Sequence, residues 1–351
     1  MKADILLEKY YPGYQIEEES ERKCTFPKTM WLTLTRHCNL KCKWCYSKHK
    51  ENEYMELEFA KQVIDKFCSN GGKRIVLIGG EPTVYPYFGE IIEYIFPYRI
   101  SIGIASNGIC FSKQKYLNLL IDKIEMIHIN LSLKEVSNLG YQIETGNGKF
   151  YDVVNAIDSF NEGHIDYIVS YVLMKQSLST LFSLRELLLA HNVKKIVFQT
   201  DKPMIFSDNC TTVSDLVKTC KLAYKIFYET RSILAFKFEL SFPLCAFKRE
   251  FVDLLLKDNL LDICCDLYRC SGIVIDTNGD ILPCNHFSNY PLMDYVTSAD
   301  SVIDYCKSEM FQKFGDLAGM VPKKECIYCE LWKKCRGGCI LRWLKGEKWD
   351  I

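Results

Sequence analysis

With 351 residues, 48% of them hydrophobic and 13% aromatic, the chain carries enough apolar material for one large core and a smaller second unit. Lysine plus arginine and aspartate plus glutamate balance at 44 each, so there is no one-signed surplus of the kind that serves nucleic acid or an acidic membrane, and neither is expected as a partner. No apolar run reaches the roughly 18 residues of a membrane span, and MKADILLEKYYPGYQIEEESERK lacks a basic segment leading into an apolar one, so a cytoplasmic protein is expected.

Residues 1–28 read as a lead-in segment. From residue 29 to about 200, short β-branched runs alternate with amphipathic ones: TMWLTLT, ELEFAKQVIDKFCSNGG, RIVLI, YFGEIIEYIF, ISIGIAS, YLNLLI, MIHINLSL, YDVVNAIDSF, DYIVSYVLM, LFSLRELLLA and KIVFQ. Apolar positions recur at helical spacing in the second kind of run, as with Phe59, Val63, Ile64 and Phe67, and Asn70-Gly71-Gly72 suits a helix C-terminus. Strands joined by crossover helices run parallel, so the expected fold is α/β, a partial (β/α)6 barrel of the TIM type spanning 29–235. Between 201 and 260 a helix over about Val213 to Arg231, a strand in AFKFELSF and a helix in FVDLLLKDNLLDI bridge to the remainder. Residues 236–351 then form a small cysteine-rich unit containing a β-hairpin, IVID and ILP around Thr277-Asn278-Gly279-Asp280, because Asn-Gly is a strong hairpin turn.

Eighteen cysteines are many for a compartment that keeps thiols reduced, and metal or metal-sulfur ligation explains the excess better than disulfides. Cys38, Cys42 and Cys45 follow the first strand. Cys264, Cys265, Cys270, Cys284, Cys326, Cys329, Cys335 and Cys339 lie in the tail. Cys24, Cys68, Cys110, Cys210, Cys220, Cys245 and Cys306 stand alone and read as small buried hydrophobes. Gly79-Gly80-Glu81-Pro82-Thr83 follows the second strand, Ser106-Asn107-Gly108 the third, and Ser132 ends the fourth, so independent loops meet at the carboxyl edge of the sheet. Three cysteines leave one corner of a cubane without a protein ligand, where a structural site would be closed by four.

CxxxCxxC with Trp44 before its last cysteine, and Gly-Gly-Glu-Pro after strand two, resembles the radical S-adenosylmethionine (SAM) superfamily over about residues 25 to 235. The resemblance implies that Cys38, Cys42 and Cys45 hold a 4Fe-4S cluster whose open iron takes SAM, which is cleaved to a 5'-deoxyadenosyl radical. It places Trp44 against the adenine, Gly79, Gly80, Glu81 and Pro82 at the methionyl ammonium, and Ser106, Asn107 and Ser132 at ribose or carboxylate. The SNG stretch is equally a turn. In the tail, C-x2-C-x5-C-x3-C would by spacing alone accept zinc. Together with the earlier tail cysteines it resembles the SPASM extension, which carries auxiliary 4Fe-4S clusters. By that resemblance Cys264 or Cys265, with Cys270, Cys284 and Cys339, holds the first, and Cys326, Cys329 and Cys335 give three ligands to the second. The fourth is open among Asp350, Cys245 and His286, and one or two auxiliary clusters are expected.

The resemblance implies an enzyme acting on a ribosomally made peptide or protein, by oxidative thioether or carbon-carbon crosslinking. It also implies an electron donor such as flavodoxin or ferredoxin. A lead-in of 28 residues is short for a leader-binding domain, so a separate recognition protein or leader-independent binding is expected. Ser132-Leu133-Lys134-Glu135, with Glu144 near the place of an arginine, departs from the Ser-Leu-Asp-Gly of sulfatase maturases and argues against that activity. A redox-neutral epimerase using a thiol such as Cys110, and a non-catalytic iron-sulfur or zinc scaffold, are the alternatives.

Overall fold

A computed structural model describes residues 1–11, 13–15, 26–46, 53–205, 210–262 and 265–344. Ten strands form one sheet: β1 (Thr29–Thr35), β2 (Arg74–Gly79), β3 (Ser101–Ser106), β4 (Ile127–Leu133), β5 (Tyr167–Leu173), β6 (Lys195–Thr200), β7 (Ala235–Glu239), β8 (Leu261–Asp262), β9 (Gly272–Ile275) and β10 (Ile281–Leu282). Their order is β10-β9-β1-β2-β3-β4-β5-β6-β7-β8. Every neighbouring pair is parallel except β9 with β10. This is the parallel α/β partial barrel expected, and it runs further than six strands. β7 and β8 extend it at one side, and the tail hairpin joins it at the other, β9 pairing Thr29 through Leu32 with Gly272 through Ile275.

Local sequence explains the helices that pack on this sheet. In Leu57–Ser69 the residues Ala60, Val63, Ile64 and Phe67 are buried, a spacing that lays one apolar face on the strands and is worth about 1.5–3 kcal/mol for each large side chain. The Glu56 carboxylate accepts from the Phe59 N–H at 3.0 Å to open the helix, and Gly71, at φ +87°, follows its end. Helices Phe150–Glu162, Leu178–Ala190 and Val213–Phe227 occupy the next crossovers. No helix among the described residues is long and apolar enough to cross a membrane. The helix Ala3–Tyr10 belongs with the tail: the Ala3 N–H donates to the Pro291 carbonyl at 3.0 Å and the Tyr11 hydroxyl to the Met320 carbonyl at 2.8 Å.

Candidate active site and the tail cysteine groups

Pairing of β1 with β2 is regular from Thr29↔Arg74 to Thr33↔Ile78, then slips so that Thr35 faces Gly79. The slip re-aims the chain where the cysteine loop begins. The Gly80 N–H donates to the Thr35 carbonyl at 2.7 Å and the Glu81 N–H to the His37 carbonyl at 2.9 Å. A Cβ on Gly79 would stand 2.3 Å from the Thr35 oxygen, and one on Gly80 2.3 Å from the His37 oxygen. The close approach that the two glycines permit is therefore to the backbone that leads into Cys38.

Glu81 is buried and binds the mouth together. Its Oε1 accepts from the Thr83 N–H at 3.2 Å, the Thr83 hydroxyl at 2.6 Å and the Ser106 hydroxyl at 2.8 Å, while Oε2 accepts from the Asn107 N–H at 2.7 Å. Burial raises its carboxyl above the usual range, against the pull of these donors. Ser106 also accepts from the Gly108 N–H at 3.0 Å. Asn107 closes an Asx turn onto the Ile109 N–H at 3.1 Å and donates through Nδ2 to Asn39 Oδ1 at 2.7 Å. Ser106 and Asn107, both buried, thus tie three loops to one another. Asn39, within the cysteine triplet, had no part in the sequence reading; an amide between ligand-type cysteines was its only signal.

The triplet is held from the other side by the helix Asn138–Thr145. The Lys41 N–H donates to the Thr145 carbonyl at 2.8 Å, the Lys43 N–H to the Glu144 carbonyl at 3.1 Å, and Lys43 Nζ pairs with Glu144 at 3.1 Å. Tyr141 on this helix is fully buried, and its hydroxyl has no hydrogen-bond partner. Burial raises it, and Cys42, Glu81 and Cys38 add to that. Burial, then the Glu81 charge, pushes the Cys38 thiol up to about 12, while the Leu40 N–H points at its sulfur from 3.4 Å. Cys42, Trp44 and Cys45 are half-buried at the same edge, and Ser132 accepts from the Lys134 ammonium beside it. Pro82 starts the turn Pro82–Val84.

The tail brings its cysteines into two groups. Lys202, which follows β6 and pairs with Glu239 at 2.5 Å, lies in the field of Cys339 and Cys284, and Cys265 lies in the field of the same two thiols. Cys265 is exposed at the surface, yet desolvation, then the neighbouring Cys284 and Cys339, raises its thiol. Burial pushes Cys284 up to about 11, with Lys202 acting against it. His286 lies 3.8 Å from the Cys284 sulfur, and its ring packs at a tilt of 35° against Tyr46, centroids 4.9 Å apart; burial, then Lys202, depresses its imidazole to about 3. Cys326, Cys329 and Cys335 form the second group, joined by Cys245 from the turn Leu244–Ala246. The expectation that lone cysteines are buried holds for Cys110, Cys220 and Cys306, but Cys68 and Cys210 are half-buried and Cys245 is exposed. Cys270 is buried and disulfide-bonded in this structure. Cys24, Cys264 and Asp350 lie outside the described residues.

Among the described residues no three His, Cys, Asp or Glu side chains converge on one point where a single ion would sit. A four-iron cubane takes its thiolates at separate corners and requires no such point. An all-sulfur donor set and a buried orphan hydroxyl beside it fit such a group.

A family model, the radical SAM superfamily, matches residues 32–188. The chain carries a radical SAM domain. Proteins with this domain bind SAM and a 4Fe-4S cluster, and the tail cysteines of this chain suit auxiliary clusters. Streptococcus suis SuiB, solved with its precursor peptide SuiA, shares the radical SAM fold with a TM-score of 0.71 and 19% identity, over 93% of this chain and 74% of that one. The protein anSMEcpe with bound AdoMet and the Cp18Cys peptide gives 0.70 and 17%, over 89% of each chain. Among curated relatives, Fe-coproporphyrin III synthase of Methanosarcina barkeri is 24% identical over 54% of this chain and 47% of its own length. GTP 3',8-cyclase of Vibrio atlanticus is 28% identical over 48% and 52%, and the mycofactocin maturase MftC of Mycolicibacterium smegmatis 25% over 48% and 44%. The chain spans about half the length of the curated relatives it matches.

Proposed function

We propose that the chain is a radical SAM enzyme that modifies a residue in a ribosomally made peptide or protein, by oxidative thioether or carbon-carbon crosslinking. The observation that carries this reading is the convergence of the Cys38-Cys42-Cys45 loop, Gly79-Gly80 and Asn107 on one sheet edge, with further thiol groups on the same sheet's extension. A fold shared with SuiB and anSMEcpe, both solved with peptides, supports the substrate class. Cys38, Cys42 and Cys45 hold the cluster. Bound there with SAM, it supplies a 5'-deoxyadenosyl radical that takes hydrogen from the substrate.

The chain's own residues orient and shield that chemistry. The backbone at Gly79 and Gly80 fixes the cysteine loop, and Glu81 Oε2, which accepts one hydrogen bond, has capacity for the methionyl ammonium. Pro82 fixes that loop, Trp44 covers the adenine, and Ser106, Asn107 and Ser132 line the ribose and carboxylate side. Crosslinking with loss of two hydrogens leaves an electron, and the tail cysteines hold its acceptor: Cys264 or Cys265 with Cys284, Cys339 and, once its disulfide is reduced, Cys270, then Cys326, Cys329 and Cys335. Asp350 competes with Cys245 and His286 for the last position. A flavodoxin or ferredoxin supplies electrons.

Reduced holoenzyme incubated with SAM and precursor peptides encoded beside its gene should release 5'-deoxyadenosine and a product two daltons lighter. Deuterium uptake from heavy water without mass loss would replace crosslinking by epimerisation, although Cys110 is buried beside Tyr116. A second reading, a small-molecule substrate, is favoured by the coproporphyrin and GTP relatives. Turnover of such a compound, with every peptide returned unchanged, would establish it instead.

A further inference from the structure

We infer that Cys245 is the fourth thiolate of the second tail group, closing an all-cysteine iron-sulfur site with Cys326, Cys329 and Cys335. The inference rests on the reading of the tail as a cluster carrier.

Ser241 to Cys245 runs against Cys335 to Cys339. The Cys339 N–H donates to the Ser241 carbonyl at 3.1 Å, and the Leu244 N–H points at the Cys335 sulfur from 3.3 Å. Gly338, at φ +75°, lets the two stretches of chain meet, since a Cβ there would lie 2.5 Å from the Phe242 carbonyl carbon. One helical turn further on, the Arg249 guanidinium pairs with Glu330, between Cys329 and Cys335 in the chain. Cys245 is thus the next residue after a backbone N–H that already touches a sulfur of the group. Such N–H···S contacts orient ligands around a metal centre.

The electrostatics agree with this placement: Cys326 and Cys335 each lie in the field of Cys245, and Cys245 in that of Cys329. Burial raises both the Cys245 and the Cys326 thiol, and Lys323 acts against it at each. His286 is committed to the other group, beside Cys284. Four thiolates leave no iron open for substrate, so the second site passes electrons and binds nothing organic. Exposure of Cys245 and Cys329 puts it at the surface, within reach of an external electron acceptor.

The test uses full-length protein reconstituted anaerobically in a Cys38→Ala, Cys42→Ala, Cys45→Ala background, so that only tail clusters contribute. About eight irons are expected there, for two four-iron sites. Adding Cys245→Ala should remove between about one and four of them and produce a three-iron paramagnetic signal on mild oxidation, while Cys245→Ser restores the iron with altered spectra. Iron and spectra unchanged by Cys245→Ala would overturn the inference. A readout without any tail substitution is alkylation by iodoacetamide followed by mass spectrometry. Cys245 should label in the chelated apoprotein and be protected in the holoprotein; equal labelling in both would overturn the assignment. No iron at all in the background protein would overturn both this site and the cluster-bearing reading of the tail.

Discussion

Gly80 carries no side chain because the His37 carbonyl occupies the place where one would go, 2.3 Å from an ideal Cβ. Gly80→Ala must push two backbones apart, and a loss of about 1–3 kcal/mol is expected in denaturant unfolding, together with incomplete iron loading at the triplet. Glu81→Gln replaces an acceptor for four donors by an amide with only one oxygen, and should cost about 1–3 kcal/mol and weaken SAM binding measured by calorimetry. Lys202 and Glu239 give a pH-dependent case. Burial alone would raise the Glu239 carboxyl, yet Lys202 outweighs it and holds the group below its ordinary value. The stability this contributes is therefore complete above the unfolded carboxyl value and is lost as pH falls through the depressed folded one. In Lys202→Met the cation is gone and burial raises the carboxyl. The variant should lose about 1–3 kcal/mol at neutral pH, the pair being partly exposed, and in urea titrations the gap to wild type should narrow as pH falls through the variant's raised carboxyl value and on through the depressed wild-type one. At this scale the ligand-type residues were legible, because cysteine spacing is local. The partners of Glu81 and Cys245 were not, because each is set by a loop distant in sequence.

The elements around the mouth divide in the same way. Strand and helix alternation from 29 to 200 follows from periodicity, and the Asn278-Gly279 turn correctly marks the β9–β10 hairpin. What periodicity does not carry is where that hairpin docks: β9 pairs in parallel with β1, about 240 positions earlier in the chain, a contact decided by tertiary packing. The helix Asn138–Thr145 escaped notice because NLGYQIET is short and holds a glycine, which weakens its apolar pattern. Its opening cap is Ser137, accepting from the Gly140 N–H at 3.1 Å. The hairpin is fastened to the cysteine loop by a buried pair, Arg36 Nε donating to Asp276 Oδ1 at 2.8 Å. Arg36→Leu strands that carboxylate and should cost about 3–5 kcal/mol, whereas adding Asp276→Leu should recover much of the loss in the same unfolding assay.

The strands of the described residues form one sheet, and the cysteine groups lie on the loops at its ends. The triplet sits after β1, Lys202 with the next group after β6, and Tyr46, which follows Cys45, packs at a tilt against the ring of His286 in that group. The tail stretch LWKKCRGGCILRW is basic in sequence, but Arg342 within it is fully buried, donating to the Ser241 hydroxyl at 3.1 Å and the Asp201 carbonyl at 2.7 Å. It ties the tail to the ends of β6 and β7, which a charge count could not reveal. The most direct test of the account compares wild type with the Cys38→Ala, Cys42→Ala, Cys45→Ala variant, measuring iron content and 5'-deoxyadenosine released from SAM under strong reductant. About twelve irons and release in wild type, with about eight irons and no release in the variant, is the expected result. A fully loaded wild-type protein that leaves SAM intact would contradict the account.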